Sequence, residues 1–201
     1  MKKLLILLTI LFAIQAYASD TPQLDAFLKH KSFSADFTQL NQYPGLDNFT
    51  YTGHAYIVRP KEALWDYENP REYYLMRPDG IEHYSESLKQ ILRVKVDVAN
   101  SNDTTALLLS IFLDGSNVKK HFTVKENTVD KLTTISLSPV KKGTVGDIEL
   151  QIQGGLIKSV ASKDATGSAI KIEFTNVQQG KKIDAKVFTP AVPADTQIID
   201  Q

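Results

Sequence analysis

From Phe33 onward apolar and polar residues alternate with a period of two, and the pattern returns repeatedly between short turn signals. Phe33, Ala35 and Phe37 alternate with Ser34, Asp36 and Thr38. Successive side chains of a strand point to opposite faces, so this pattern describes a strand with one dry face and one wet face. The same reading predicts strands at 33–40, 52–58, 62–67, 72–77, 88–96, 121–126, 132–138, 147–153, 156–162, 169–175 and 182–189. Between them fall turn signals such as Pro44-Gly45, Pro78-Asp79-Gly80, Gly154-Gly155 and Ala165-Thr166-Gly167. Strands joined by such short turns pair antiparallel, because a parallel pair needs a long crossover. A twisted sheet of about eleven strands has to curl. The fold class that follows is mainly β: one antiparallel meander closing toward a barrel or half-barrel.

Two segments depart from the period of two. Thr21-Pro22 offers an N-cap with proline at the first helical position, and Leu24, Phe27 and Leu28 recur at helical spacing, predicting a short N-terminal helix. Residues 101–115 carry N-cap candidates at Ser101, Asn102 and Asp103 and a C-cap at Gly115. Between them Ala106, Leu107, Leu108, Leu109, Ile111, Phe112 and Leu113 are apolar around nearly the whole helical circumference. Such a helix is buried on more than one side. The residues alone allow a plug filling the curled sheet or a lid over a cavity for something apolar.

The first residues pair Lys2 and Lys3 with an apolar run from Leu4 to Ile14, then Ala16-Tyr17-Ala18, the layout of a secretory signal. The run is too short to span a bilayer, which takes about 20 residues. Residues 1–18 are therefore expected to be removed, leaving 19–201 as one exported, soluble domain. With no cysteine in the chain, there is neither an acylation site nor a disulfide framework, and the core alone has to stabilise the fold.

Lys+Arg and Asp+Glu are equal at 23 each, so no net field draws nucleic acid. The paired lysines at 119–120, 141–142 and 181–182 read as solvated turn flanks. Enzyme signatures are missing. Ser116 follows Gly115 without the second glycine of a nucleophile elbow, and His30, His54, His83 and His121 have no metal-ligand spacing. The only glycine pair sits in a hairpin turn, so no loop is built to cradle phosphate. No cofactor is expected.

Phe33 to Gln39, then Gly53, Arg59-Pro60, Trp65 and Pro70, and finally Phe188-Thr189-Pro190 mark three segments that together resemble the outer-membrane lipoprotein carrier family. Phe33-Ser34-Ala35-Asp36-Phe37-Thr38-Gln39 is similar to an F-x-A-x-F-x-Q strand. Gly53, Arg59-Pro60, Trp65 and Pro70 follow G-x5-R-P-x4-W-x4-P, with Asp79-Gly80 where the family has an S-D-G turn. Phe188-Thr189-Pro190 through Ile198-Ile199-Asp200 is similar to the F-x-P close of the last strand. Ala63 stands where the family often has a bulky exposed residue, and Tyr84 where it commonly has tryptophan.

The resemblance implies an unclosed antiparallel β-barrel of about eleven strands, covered by short lid helices around a hydrophobic cavity. It makes 101–115 a lid element and Arg59 the latch that fastens lid to barrel. Phe37, Leu64, Trp65, Leu75, Leu108, Ile111, Phe112 and Leu150 are expected to bind acyl chains. The implied protein is a monomeric, non-enzymatic periplasmic carrier. Its implied partners are acylated lipoproteins, an inner-membrane ABC-type release complex and an outer-membrane acceptor lipoprotein. Two other readings share the fold: a carrier of another lipid serving a dedicated exporter, and a regulatory module that senses lipid or lipoprotein.

Overall fold

The computed structural model describes residues 20–95, 111–113, 115, 118–141 and 146–201. The expected signal segment and Leu108 lie outside the described residues. Among those described, twelve strands form one sheet. They are β1 (Ser32–Gln42), β2 (Phe49–Val58), β3 (Glu62–Tyr67), β4 (Glu72–Arg77), β5 (Gly80–Ser85) and β6 (Gln90–Val94). After them come β7 (Phe122–Val129), β8 (Leu132–Pro139), β9 (Asp147–Gln153), β10 (Leu156–Lys163), β11 (Ala169–Gln179) and β12 (Gln197–Asp200). Helix α1 spans Pro22–Lys29 and the single turn α2 spans Val118–His121.

The strand order is β12-β6-β5-β4-β3-β2-β1-β11-β10-β9-β8-β7. Two antiparallel meanders, β1–β6 and β7–β11, are thus sewn together where β1 pairs with β11. The two outer strands, β12 and β7, do not pair with each other, so the barrel stays open.

The sheet is strongly curved. Trp65 on β3 and Phe174 on β11 stand three strands apart, about 14 Å at ordinary strand spacing. Their rings nevertheless meet at 6.0 Å. Inward side chains of nine strands join α1 and the helical residues Ile111, Phe112 and Leu113 in one buried cluster. This cluster fills the concave face.

A second cluster lies on the opposite face, where Leu64, Tyr73, Leu75, Tyr84 and Ile91 are covered by Phe188. It explains the main departure from the expected strands. Residues 182–189 alternate like a strand, yet the chain forms a 3-10 turn at Ala185–Phe188. The Asp184 carboxylate accepts a hydrogen bond from the Lys186 amide, and Phe188 inserts against β3–β6. Pro190 and Pro193 follow, and neither has an N–H to give a ladder. The F-x-P segment is consequently a clasp on the convex face rather than the last strand.

Two strands escaped the alternation. β5 reads Gly-Ile-Glu-His-Tyr-Ser, with polar groups on both faces. β12 is four exposed residues and pairs parallel to β6, the one parallel pair in the sheet of described residues.

Candidate functional site

The apolar trough on the concave face is built by strand parity. Phe33 and Phe37 on β1, Ala55 and Ile57 on β2, Ala63 and Trp65 on β3 all project inward and are buried. Gly53 sits between Phe37 and Tyr67 in the ladder, opposite one on β1 and the other on β3. A Cβ at this position would collide with the Asp66 carbonyl oxygen and come within 2.8 Å of Phe37 Cζ. Its absence lets the rings of Phe37 and Tyr67 meet across the strand at 5.0 Å.

An aromatic chain runs along this trough. Phe27 of α1 touches Phe33 and Phe112, at 6.1 and 6.0 Å between ring centroids. Phe112 in turn meets Trp65 at 5.6 Å and Phe174 at 5.9 Å, and Trp65 meets Phe37 at 5.2 Å. The trough is therefore occupied by the protein's own side chains. Ile111 and Phe112 are each only 1% exposed.

Helix α1 is held over the trough at both ends. Thr21 takes the N-cap position but makes no side-chain cap bond. The carboxylate of Glu126, on β7, supplies the cap instead, accepting from the Gln23 and Leu24 amides at 3.2 and 2.7 Å. At the other end Arg59, in the β2–β3 turn, donates from Nη1 to the His30 carbonyl at 2.8 Å. Its guanidinium lies 4.9 Å from the Phe27 ring centre. Arg59 is only 7% exposed, and burial lowers its pKa to about 10, which leaves it charged at neutral pH. Its Nε and Nη2 are buried with no hydrogen-bond partner, as is Nε1 of Trp65. Three buried donors thus lack a hydrogen-bond partner, and each costs free energy in that state.

Of the eight residues expected to bind acyl chains, Phe37, Trp65, Ile111, Phe112 and Leu150 share the concave cluster. Leu64 and Leu75 lie apart from them in the convex cluster beneath Phe188. The reason is the strand period itself, since Leu64 adjoins Trp65 and must face the other way. Ala63 is fully buried between Ile57 and Met76, so no bulky group projects there. Tyr84 stacks on Tyr73 at 5.3 Å on the convex face. Sequence reasoning missed Phe27, Phe33 and Phe174 as members of the aromatic chain. Same-face parity with Phe37 flags Phe33, and only the β1–β11 pairing, which sets Phe174 opposite Phe37, brings in the last.

No group of three or more histidine, cysteine, aspartate or glutamate side chains fit to hold a metal occurs among the described residues. None of their helices is long and apolar enough to cross a membrane.

An open half-barrel with an apolar trough, capped by a helix clamped at both ends, has the architecture of a protein that holds apolar groups. The sequence profile of the outer-membrane lipoprotein carrier protein LolA matches residues 29–191, and the chain belongs to that family. It is 30% identical over 196 residues to the outer-membrane lipoprotein carrier protein of Cupriavidus pinatubonensis, covering 92% of this chain and 90% of that one. To the carrier protein of Francisella philomiragia it is 28% identical over 207 residues, covering 100% and 98%. In fold it is similar to an uncharacterized conserved protein of Thermus thermophilus, with a TM-score of 0.55 at 10% identity, covering 90% and 98%.

Proposed function

We propose that this protein binds the acyl chains of lipoproteins in its concave trough and carries them through the periplasm. In this reading it receives cargo from an inner-membrane ABC-type release complex and passes it to an outer-membrane acceptor lipoprotein. The relatives' names support lipoprotein as the cargo. The observation that carries the mechanism is the occupancy of the trough by Phe27, Ile111 and Phe112.

The physical need for such occupancy follows from magnitudes. A buried methylene is worth about 0.8 kcal/mol, so one long acyl chain leaving water is worth on the order of 12 kcal/mol. Two or three chains in a permanently empty cavity would approach the affinity ceiling of about 18–21 kcal/mol and would not leave. A trough already filled by its own aromatic side chains sets self-burial against cargo burial, and the net free energy stays small. Arg59 acts as the latch in this scheme. It fastens α1 in the filled state and keeps two nitrogens, Nε and Nη2, without a partner.

Residues 1–18 serve as the export signal in this reading, and the mature chain starts near Ser19. Native mass spectrometry of protein purified from periplasm, followed by lipid extraction, tests the proposal. The expected result is a mature chain, without lipid modification of its own, carrying acylated cargo. A retained Met1, or a chain that never carries acyl groups when the release complex is present, would overturn it.

A further inference from the structure

Beyond Trp65 and Phe37 the aromatic chain continues, but its character changes. Tyr67 meets Tyr51 at 6.1 Å and Tyr74 at 6.0 Å, both edge to face. These three rings, from β2, β3 and β4, surround a recess of about 170 Å³ that Gln39, Asn41 and Glu72 complete. The recess lies at the end of the trough away from α1, since Tyr67 closes β3 and Glu72 opens β4.

Its hydrogen-bonding groups are turned in a consistent way. The Tyr67 hydroxyl donates to Gln39 Oε1 at 2.8 Å, and Gln39 Nε2 donates to Asn41 Oδ1 at 2.9 Å. The Tyr67 hydrogen is thus committed inward, and a ligand meets the ring face and the oxygen lone pairs. Glu72 stands directly opposite Tyr67 in the ladder. Its carboxylate receives the Ser85 hydroxyl at 3.3 Å and has His83 Nε2 at 3.5 Å. Among the described residues no lysine or arginine pairs with it. The Tyr67 phenol is pushed well above its ordinary range, first by burial and then by the neighbouring Tyr74 and Glu72.

Aromatic faces together with a carboxylate that is shared only with Ser85 and His83 among the described residues favour a cation over an anion. The volume corresponds to roughly five waters, room for an ammonium with one or two carbons.

Accepting that the trough holds acyl chains, we propose that this recess binds an ammonium group borne by the same acylated molecule. Two sources share that chemistry. One is the ethanolamine head of a phospholipid. The other is the free α-ammonium of an S-diacylglyceryl cysteine at the start of a protein cargo, a group that N-acylation would neutralise. The trough would then read the polar end of its ligand as well as its hydrocarbon.

Titration of the purified chain, followed by fluorescence of Trp65, its single tryptophan, tests this with two matched probe pairs. The first pair is lysophosphatidylethanolamine against lysophosphatidylglycerol of equal chain length. The second is an S-diacylglyceryl-cysteinyl peptide with its α-amine free against the same peptide N-acetylated. The expected result is a roughly five- to tenfold preference for the amine-bearing member of at least one pair, and the pair that shows it identifies the source. Glu72→Gln should erase that preference by weakening the amine-bearing member alone, and Tyr51→Leu should halve it or more. Equal affinity within both pairs, or a preference that survives Glu72→Gln, overturns the proposal. An acyl methyl ester, titrated in parallel, separates the two readings. If it fails to bind, the trough is not an acyl site at all; if it binds without any amine preference, only the ammonium site falls.

Discussion

Glu126 and Arg59 hold opposite ends of one helix. The carboxylate of Glu126 caps the first amides of α1, and the guanidinium of Arg59 takes the carbonyl of His30 just past its last turn. Each charge stands at the end of the helix where the macrodipole favours it. Glu126 belongs to the β7–β11 meander and Arg59 to the β1–β6 meander. Helix α1 is therefore a bridge between the two halves of the open barrel.

Removing either anchor should loosen the helix over the trough. For Arg59→Leu the lost hydrogen bond to a charged group is worth about 1.5–3 kcal/mol. Glu126→Ala loses a cap worth about 0.5–2 kcal/mol. Hydrogen exchange of the α1 amides should accelerate roughly tenfold or more in Arg59→Leu, and loaded protein should release an acyl probe to acceptor vesicles more slowly than the parent. Because both anchors act on one helix, the double variant should lose less than the sum of the singles. Unchanged exchange and unchanged release in Arg59→Leu would show that the latch lies elsewhere.

Phe112→Glu places a carboxylate where four aromatic rings now meet the side chain. An unpaired charge in that setting costs several kcal/mol. We expect acyl binding to vanish while the β signal in circular dichroism persists, since no ladder bond involves residue 112. Loss of the β signal would instead make this residue a structural plug.

Gly53→Ala tests the glycine of the G-x5-R-P segment. The added methyl must displace the Phe37 ring and crowd the Asp66 carbonyl. Overpacking of this kind costs about 1–3 kcal/mol, which should appear as a lower urea midpoint with an unchanged slope. A neutral outcome would mean that the β2–β3 ladder shifts to admit the methyl.

Alkaline titration should report on Tyr67. Burial, with the neighbouring Tyr74 and Glu72, raises its pKa in the folded chain. An unfolded tyrosine ionises near pH ~10. Above that the folded state holds a proton which the unfolded state has released. Stability is then complete below pH ~10 and falls as pH rises, by up to about 1.4 kcal/mol per pH unit for this one group. Tyr73 is shifted in the same direction, chiefly by burial and its hydrogen bond to Glu82, and adds to the slope. Tyr67→Phe should flatten the decline by one proton, read from denaturant unfolding at several pH values between ~9 and ~12. The same slope in parent and variant would refute the assignment.

The sheet was legible wherever a strand has one dry face. β1 shows why: Phe33, Ala35 and Phe37 are buried and the residues between them are not. β5 was hidden because His83 and Glu82 put polar groups on both of its faces, and only the ladders to β4 and β6 identify it. Residues 182–189 misled because Ile183 and Val187 do pack inward, but onto the convex cluster rather than into a ladder. In the site, Arg59, Trp65 and Phe112 could be picked from the chain and their motif. Glu126 could not, since the amides it caps lie about a hundred residues away, a relation that exists only after the sheet has curled. Leu64 and Trp65 illustrate a further limit: adjacent residues look equally apolar, and nothing local says which of them faces the trough.

A closed barrel resists widening because its strands form an unbroken ring of ladders. This one has free margins at β12 and β7, and the fastened helix is one of the links between its two meanders across the trough. Girth can therefore change by a small added twist at each of the eleven strand-to-strand junctions, with every ladder bond kept. In the proposed carrier role the container would work as a C-shaped spring whose girth is set by sheet twist. A spring of that form would take cargo of unequal bulk on the same scaffold, with the fit decided by how far the jaws relax rather than by a cavity of set size.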